Sequence, residues 1–563
     1  MKIVIAGGYG VFGSRLAELL VRDGHEVTIA GRSESKAQAT ASRLKCLAQV
    51  ADIRSDPSAL FTNKPDIVID AAGPFQAYGD DPYRLPELCI ENGADYMDLS
   101  DDAEFTHGLS TLDELARSTN RRLLSGASSV PGISSSAVAK LCDGMDSVLL
   151  IDTAILPGNR APRGTSVVKS IVGQLGSQFR VLRGGVWRDH DCWSEAQEIN
   201  LGSGIRRTAR LIEVPDIRLF PDFFGAKSVL FRAAMELGVL NIGMKVLALL
   251  RSRWRFRLTA KRTRAFRQFS NLLLPFGTDR GGMRVRVVGL IDELPVRREW
   301  RLIAESGDGP YVPAVTARAV IRNLSQIPAG ARPCLAEVEL SDIESAMSDL
   351  DVATHMEDAP APTLFQSALE DRWDVLPEKV KALHGVQDIE SFSGEAEVIR
   401  GASPIARLAA WFFGFPPAAE RVPLTVTKTR SRHGETWVRN FGGRVFRSQC
   451  SPSDRKYCYR ERFGIMTFEL ELAADGSGMK FPVRRGWFLG IPLPRWLLPA
   501  SETREYVENG LFRFDVSLEA PFNSGLIVRY RGWVEPDSSS NQYDQRAAPN
   551  LIDRVARSLA LHE

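Results

Sequence analysis

None of the seven cysteines stands in a C-x-x-C pair, and the closest two, Cys450 and Cys458, have no histidine companions at zinc-site spacing. The chain therefore reads as reduced, with neither a disulfide frame nor a structural zinc. Its seven histidines form no H-x-x-x-H cluster, so no metal centre is expected. No apolar run reaches the roughly 20 residues that span a bilayer; the longest, Gly238 to Leu250, is interrupted by Lys245. The first residues run straight into an apolar strand without a basic n-region or cleavage site, which predicts a cytoplasmic location. A net charge of only +2 argues against nucleic-acid binding by bulk charge. No internal repeat is visible.

What the chain does have is length and rhythm. Its 563 residues exceed one ordinary core, and two to four domains are expected. Through residue 145, apolar runs (KIVIAG, HEVTIAG, CLAQVAD, DIVIDAAG, DYMDLS, RRLLSGAS) alternate with helical patterns. That is the rhythm of an α/β Rossmann fold, a doubly wound parallel sheet buried on both faces. Residues 146–310 read as an α+β substrate domain interrupted by a basic helical insertion at about 235–275, and 311–355 as returning helices that pack on the first domain. MEDAPAPT, near Met356, reads as a linker. Residues 363–536 read as a β-rich α+β domain with helices first, and 537–563 as a flexible tail with a short helix.

The sharpest motif is GGYGVFG, spanning Gly7 to Gly13, in which Gly8, Gly10 and Gly13 give G-x-G-x-x-G between a strand and a helix. The first glycine permits the turn, the second admits a pyrophosphate and the third lets helix and strand pack, so Gly8, Tyr9, Gly10, Val11, Phe12 and Gly13 are the expected phosphate cradle. The second strand ends IAGRSESK without the acid that an NAD ribose takes. Arg32, Ser33 and Lys36 stand there instead, and charge-assisted hydrogen bonds to a 2'-phosphate make NADP(H) preferred over NAD(H). Asp52 either accepts from the adenine amino group or caps the next helix.

Ligands of such sheets lie beyond the carboxyl ends of the strands. Three loops qualify: Ala72, Gly73 and Pro74 with Phe75 after the fourth strand; Asp98, Ser100 and Asp101 after the fifth; and Ser128, Ser129 and Pro131 after the sixth. Asp98 is the candidate catalytic proton relay, with Tyr78 and Tyr96 as lesser ones. Asp101 and Glu104 read as a capping box.

DIVIDAAGPFQAYG, CIENGADYMDLSDDAEF and GASSVPGISS, together with the glycine corner, resemble the saccharopine dehydrogenase-like oxidoreductases over about residues 1–350. LPEKVKALH, GFPPA, FGGRVFRS, RERFG and GLIVRYRGW are similar to a bacterial domain of unknown function found fused to such reductases. The resemblance implies nicotinamide-linked chemistry. It leaves the substrate open between an apolar or lipid-like molecule and the amino acid of a saccharopine-type dehydrogenase, and a non-catalytic redox-sensing nucleotide binder is a further alternative.

Residues 238–267 predict a peripheral contact with the inner face of an anionic membrane. The apolar segment there precedes a run in which eight of seventeen residues, Arg251 to Arg267, are basic, with Trp254, Phe256 and Phe266 among them. A homodimer is the expected assembly. In the strand-rich tail Trp487, Phe488, Trp496 and Trp533 are expected to fill a β-core, or else to line an apolar cavity.

Overall fold

The protein is described from a computed structural model, which covers residues 1–162, 173–254, 272–521 and 525–537, with 252–254 as backbone only. The basic run beyond Trp254, including Phe256 and Phe266, and the tail from 538 lie outside the described residues.

Six short strands, β1 (Lys2–Ala6), β2 (Glu26–Gly31), β3 (Leu47–Val50), β4 (Ile67–Asp70), β5 (Asp95–Asp98) and β6 (Arg122–Ser125), run parallel in the order β6-β5-β4-β1-β2-β3. Ile3, Ile5 and Ile29 face one buried cluster while Val4 and Ala30 face another, so both faces of the central strands β1, β2 and β4 are covered and those strands are mostly apolar. The crossovers are α1 (Val11–Arg22), α2 (Glu34–Leu44), α3 (Arg84–Glu91), α4 (Ala103–Gly108), α5 (Asp113–Ser118) and α6 (Ser134–Cys142). The strand order reverses at β1, between β2 and β4, which opens the crevice where α/β sheets bind ligands.

A second, mixed sheet follows. It contains β7 (Ser147–Leu156), β10 (Gln197–Gly202), β11 (Ile205–Leu211), β12 (Val229–Ala234), β13 (Gly281–Ile291) and β14 (Leu294–Ala304), while β8 (Gln178–Arg183) and β9 (Val186–Asp191) form a separate hairpin. The helices α7 (Pro215–Phe224) and α8 (Gly238–Trp254) interrupt it. Beyond β14, α9 (Val312–Arg322) packs on α1, with Arg318 and Arg322 both clasping Asp23. The chain then returns as a strand as well as helices: β15 (Gly330–Pro333) adds a seventh parallel strand beside β6.

The segment read as a linker is instead β16 (Val352–Pro360), antiparallel to β14 at the edge of the second sheet. Its acids have partners across the ladder. Glu357 pairs with Arg297 and Arg301, and Asp358 with Arg298, so the composition that looked solvated belongs to cross-strand ion pairs.

From Ile389 to Pro536 the described residues form thirteen antiparallel strands, and the last, Leu526–Pro536, pairs with the first, Ile389–Arg400. Phe392, Phe441, Phe512 and Val528 belong to the core of this sheet, which is separate from that of the first two. Arg183 of β8 reaches across to Asp388 at 2.5 Å, tying the two parts together.

Candidate functional site

After β1 the backbone turns at Gly7, where φ is +72° and a Cβ would stand 2.6 Å from the Ala72 Cα. Only glycine satisfies both demands. A Cβ on Gly8 would press on the Ile5 carbonyl (2.8 Å), and one on Gly13 on the Gly7 carbonyl (2.6 Å), so α1 packs directly against the turn. Gly10 differs. Its Cβ would meet the Gly7 carbonyl at 3.0 Å and little else, which leaves its outer side clear. Gly10 is also the N-cap of α1 and brings no capping side chain, so the first N–H groups, around half-buried Val11 and Phe12, are left for an anionic partner. This cradle fits the pyrophosphate of a dinucleotide.

At the end of β2 the Tyr9 ring lies over Gly31, where a Cβ would stand 2.3 Å from the ring. The Tyr9 hydroxyl accepts from the Ser33 N–H (3.3 Å). Ser33 is the N-cap of α2 but turns its hydroxyl towards Ser35. Arg32 and Lys36 are exposed beside it and make no ion pair among the described residues. Two cations thus flank an uncapped helix N-terminus. Asp52 accepts from the Arg54 N–H (3.2 Å) in its own turn, and the following helical turn is capped by Asp56, which accepts from Ser58.

Beyond β4, Asp70 is wholly buried. It accepts from the Ala72 N–H (2.9 Å) and from the Tyr78 hydroxyl (2.7 Å), so it fixes the loop that carries half-buried Ala72, Gly73 and Pro74. Burial pushes this carboxyl up to about 6, opposed by those two hydrogen bonds. Phe75 packs at a tilt against Tyr78 and Phe105, and Tyr83 against Phe105, making an aromatic wall at the carboxyl ends of β4 and β5. Tyr78, half-buried and held neutral by burial and by Asp70, is the more accessible hydroxyl; Tyr96 is only 1% exposed.

Asp98 is wholly buried as well. Its Oδ1 accepts from the Ser100 N–H, the Ser125 hydroxyl and the Gly126 N–H at 2.8–2.9 Å, while Oδ2 has no partner among the described residues. Burial raises it to about 7 against those three donors. The structure therefore gives Asp98 the work of clamping the β5 and β6 loops together. The helix after β5 is capped by Asp102, which accepts from Phe105 (2.8 Å), rather than by Asp101. Ser128 accepts from Thr316 of α9 through its carbonyl, and Ser129 and Pro131 lie in the bend between β6 and α6.

Sequence reasoning missed Asp70 and Gly7, although a strand ending in Asp before Ala-Ala-Gly was a visible signal. It also missed α7, which packs on α4 and α6. This brings Asp216, buried beside Ser134 and raised by burial to about 7, and Glu213, raised by burial and by the nearby Asp102, to the same end of the sheet. No local pattern marked those residues, because their role comes from the second domain folding back.

Residues 3–125 match the family model of the saccharopine dehydrogenase NADP-binding domain, and residues 376–534 match that of a domain of unknown function, DUF4166. No curated protein matches the chain. Among solved structures, apo saccharopine dehydrogenase (L-Glu forming) from Saccharomyces cerevisiae is 14% identical, over 63% of this chain and 99% of that one, with a TM-score of 0.46. An actinorhodin polyketide ketoreductase solved with NADPH is 16% identical, over 21% of this chain and 66% of that one (TM-score 0.17). Ribose-5-phosphate isomerase from Brucella melitensis 16M is 20% identical, over 18% and 52% (TM-score 0.16).

Proposed function

For a chain that fuses a saccharopine dehydrogenase-type NADP-binding domain to a C-terminal domain of unknown function, we propose an NADP(H)-dependent oxidoreductase acting on an apolar or lipid-like substrate. The observation that carries the redox reading is the cleared, uncapped start of α1 at the switch point of the parallel sheet. Gly8 to Gly13 would hold the pyrophosphate, and Arg32, Ser33 and Lys36 the 2'-phosphate. Asp52 is left to the adenosine end. Ala72, Gly73 and Pro74 border the nicotinamide end. The dinucleotide, when bound, supplies or accepts a hydride.

The chain's own residues supply the rest. Asp70 orients the Tyr78 hydroxyl, which holds a proton at the mouth of the site; Asp98, in this reading, positions Ser125 and Gly126 or passes a proton through its unpartnered Oδ2. The rings of Phe75, Tyr78, Tyr83 and Phe105 support an apolar substrate, since they exclude water beside the reacting centre.

A peripheral membrane contact is part of the same proposal. Val239, Ile242 and Val246 of α8 are 49–65% exposed and lie on one side of the helix, while Leu240 and Met244 are buried on the other. An apolar stripe turned to solvent suits the headgroup plane of an anionic membrane.

Transfer of deuterium from stereospecifically labelled NADPH to a product formed from cell extract tests turnover. Gly10→Val is the control: its branched side chain would fill the cradle, and NADPH binding measured by calorimetry should be lost while the melting profile persists. Retained affinity in a folded Gly10→Val variant would refute the cradle.

A further inference from the structure

Inside the thirteen-stranded sheet is a cavity of about 140 Å³, partly open to solvent. That is close to the volume at which an engineered apolar cavity takes up a benzene-sized guest. Phe413, Phe463, Phe468, Leu470, Phe514 and Val516 supply much of its wall. Trp487, Phe488, Trp496 and Trp533 do not line it; Phe488 is 41% and Trp496 60% exposed. The sequence offered these residues first as β-core and otherwise as cavity wall; Phe488 and Trp496 are instead at the surface and Trp487 and Trp533 half-buried, and inward positions of other strands make the chamber.

The polar part of the wall is built and almost fully paired. Arg439 donates to the Ser448 hydroxyl (2.9 Å) and to Glu461 (3.2 Å), and its guanidinium lies over the Trp437 and Phe446 rings. The Tyr459 hydroxyl donates to the other Glu461 oxygen (3.2 Å). Glu505 pairs with buried His384 at 2.6 Å. The exception is Tyr530, a lining residue only 8% exposed, whose hydroxyl makes no hydrogen bond among the described residues. That hydroxyl is open to the chamber, so a ligand oxygen there can take the place of water and pair with it. Charge decides what kind of oxygen. Arg439 is the one cation among the described lining residues, against the two carboxylates of Glu461 and Glu505. An anionic head would find no spare counter-charge.

Apolar surface continues from the wall to the outside of the domain. Phe413 touches Phe412 at the end of the helix Pro404–Phe412, and touches Phe463 on the wall. On that helix Ile405, Leu408 and Trp411 are 50–73% exposed.

We propose that the C-terminal domain is a binding site for one neutral amphiphile, an aliphatic chain or ring ending in a hydroxyl or carbonyl oxygen, with the tail among the phenylalanines and the oxygen on the Tyr530 hydroxyl. This site is distinct from the nucleotide crevice and does not depend on redox turnover.

The test uses the full chain without nucleotide. N-phenyl-1-naphthylamine fluorescence should rise to saturation at one probe per chain, and 1-octanol should displace it at least tenfold more effectively than octanoate. Tyr530→Phe should keep the probe and weaken 1-octanol about tenfold. Val516→Trp, which fills the chamber from a half-buried wall position, should lose probe binding at least tenfold. If that variant does not fold, Tyr530→Phe decides alone. Absence of saturable probe binding, octanoate competing as well as 1-octanol, or unchanged 1-octanol affinity in Tyr530→Phe would each overturn the proposal.

Discussion

Asp98 shows how one buried carboxyl links stability to pH. An unfolded aspartate titrates near 4, whereas burial holds Asp98 at about 7. Between those values the folded chain keeps a proton that the unfolded chain has lost, so this group's contribution falls as pH rises from about 4 to about 7. An asparagine in its place would mimic the protonated acid, still accepting from Ser125 and Gly126. Asp98→Asn is therefore expected to match the parent near pH 4 and to exceed it by a few kcal/mol at pH 8, as read by urea unfolding at both values. Its turnover separates the two roles, since a clamp survives the change and a proton relay does not. Arg32 makes a simpler prediction. NADPH should bind at least tenfold more tightly than NADH, and Arg32→Asp should erase or reverse that preference, because a carboxylate repels a 2'-phosphate and accepts from a 2'-hydroxyl. Equal calorimetric affinities in the native protein would contradict the assignment.

Among the elements, α8 carries apolar residues on two sides. Leu240, Met244 and Ala248 pack inward while Val239, Ile242 and Val246 face solvent. Cosedimentation with anionic vesicles at low salt is expected for the native chain and not with neutral vesicles. Ile242→Glu with Val246→Glu should reduce the pelleted fraction severalfold without changing the melting temperature, since neither side chain is in the core. The α1 helix is the contrasting case. Its inner face is fixed by Leu16, Leu19 and Leu20, each contributing about 1.5–3 kcal/mol on burial, so a change at Gly10 alters binding before it alters folding.

Over the whole molecule, the parallel sheet is completed by chain that comes back from beyond residue 310. Arg318 of α9, with its side chain only 3% exposed, is held by Asp23 at the end of α1 and by Asp349. The two arginines hold the Asp23 carboxyl well below the usual carboxylate range. Its stabilisation is thus present above about pH 4 and lost as pH falls below that. Asp23→Ala should cost about 2–3 kcal/mol at neutral pH, because Arg318 then keeps one carboxylate of two, and the difference from the parent should shrink in acid. Thermal unfolding monitored at pH 7 and pH 3 checks both statements.

The parallel sheet and the glycine corner could be read from the sequence because their causes are local. A strand buried on both faces must be apolar along its length, and Gly8, Gly10 and Gly13 are needed within seven residues of one another. Arg32 is placed at the end of β2 by the same local pattern, where an acid would otherwise stand. Tertiary structure alone decided the rest. β16 looked like a linker until β14 supplied arginines for its acids, and Asp216 reached the carboxyl end of the sheet only when α7 folded onto α4 and α6. The cavity had no sequence signature at all, since Tyr530, Arg439 and Phe413 lie on elements far apart in the chain. Their meeting follows from the closing pair of strands, Ile389–Arg400 and Leu526–Pro536, whose separation in sequence no local pattern records.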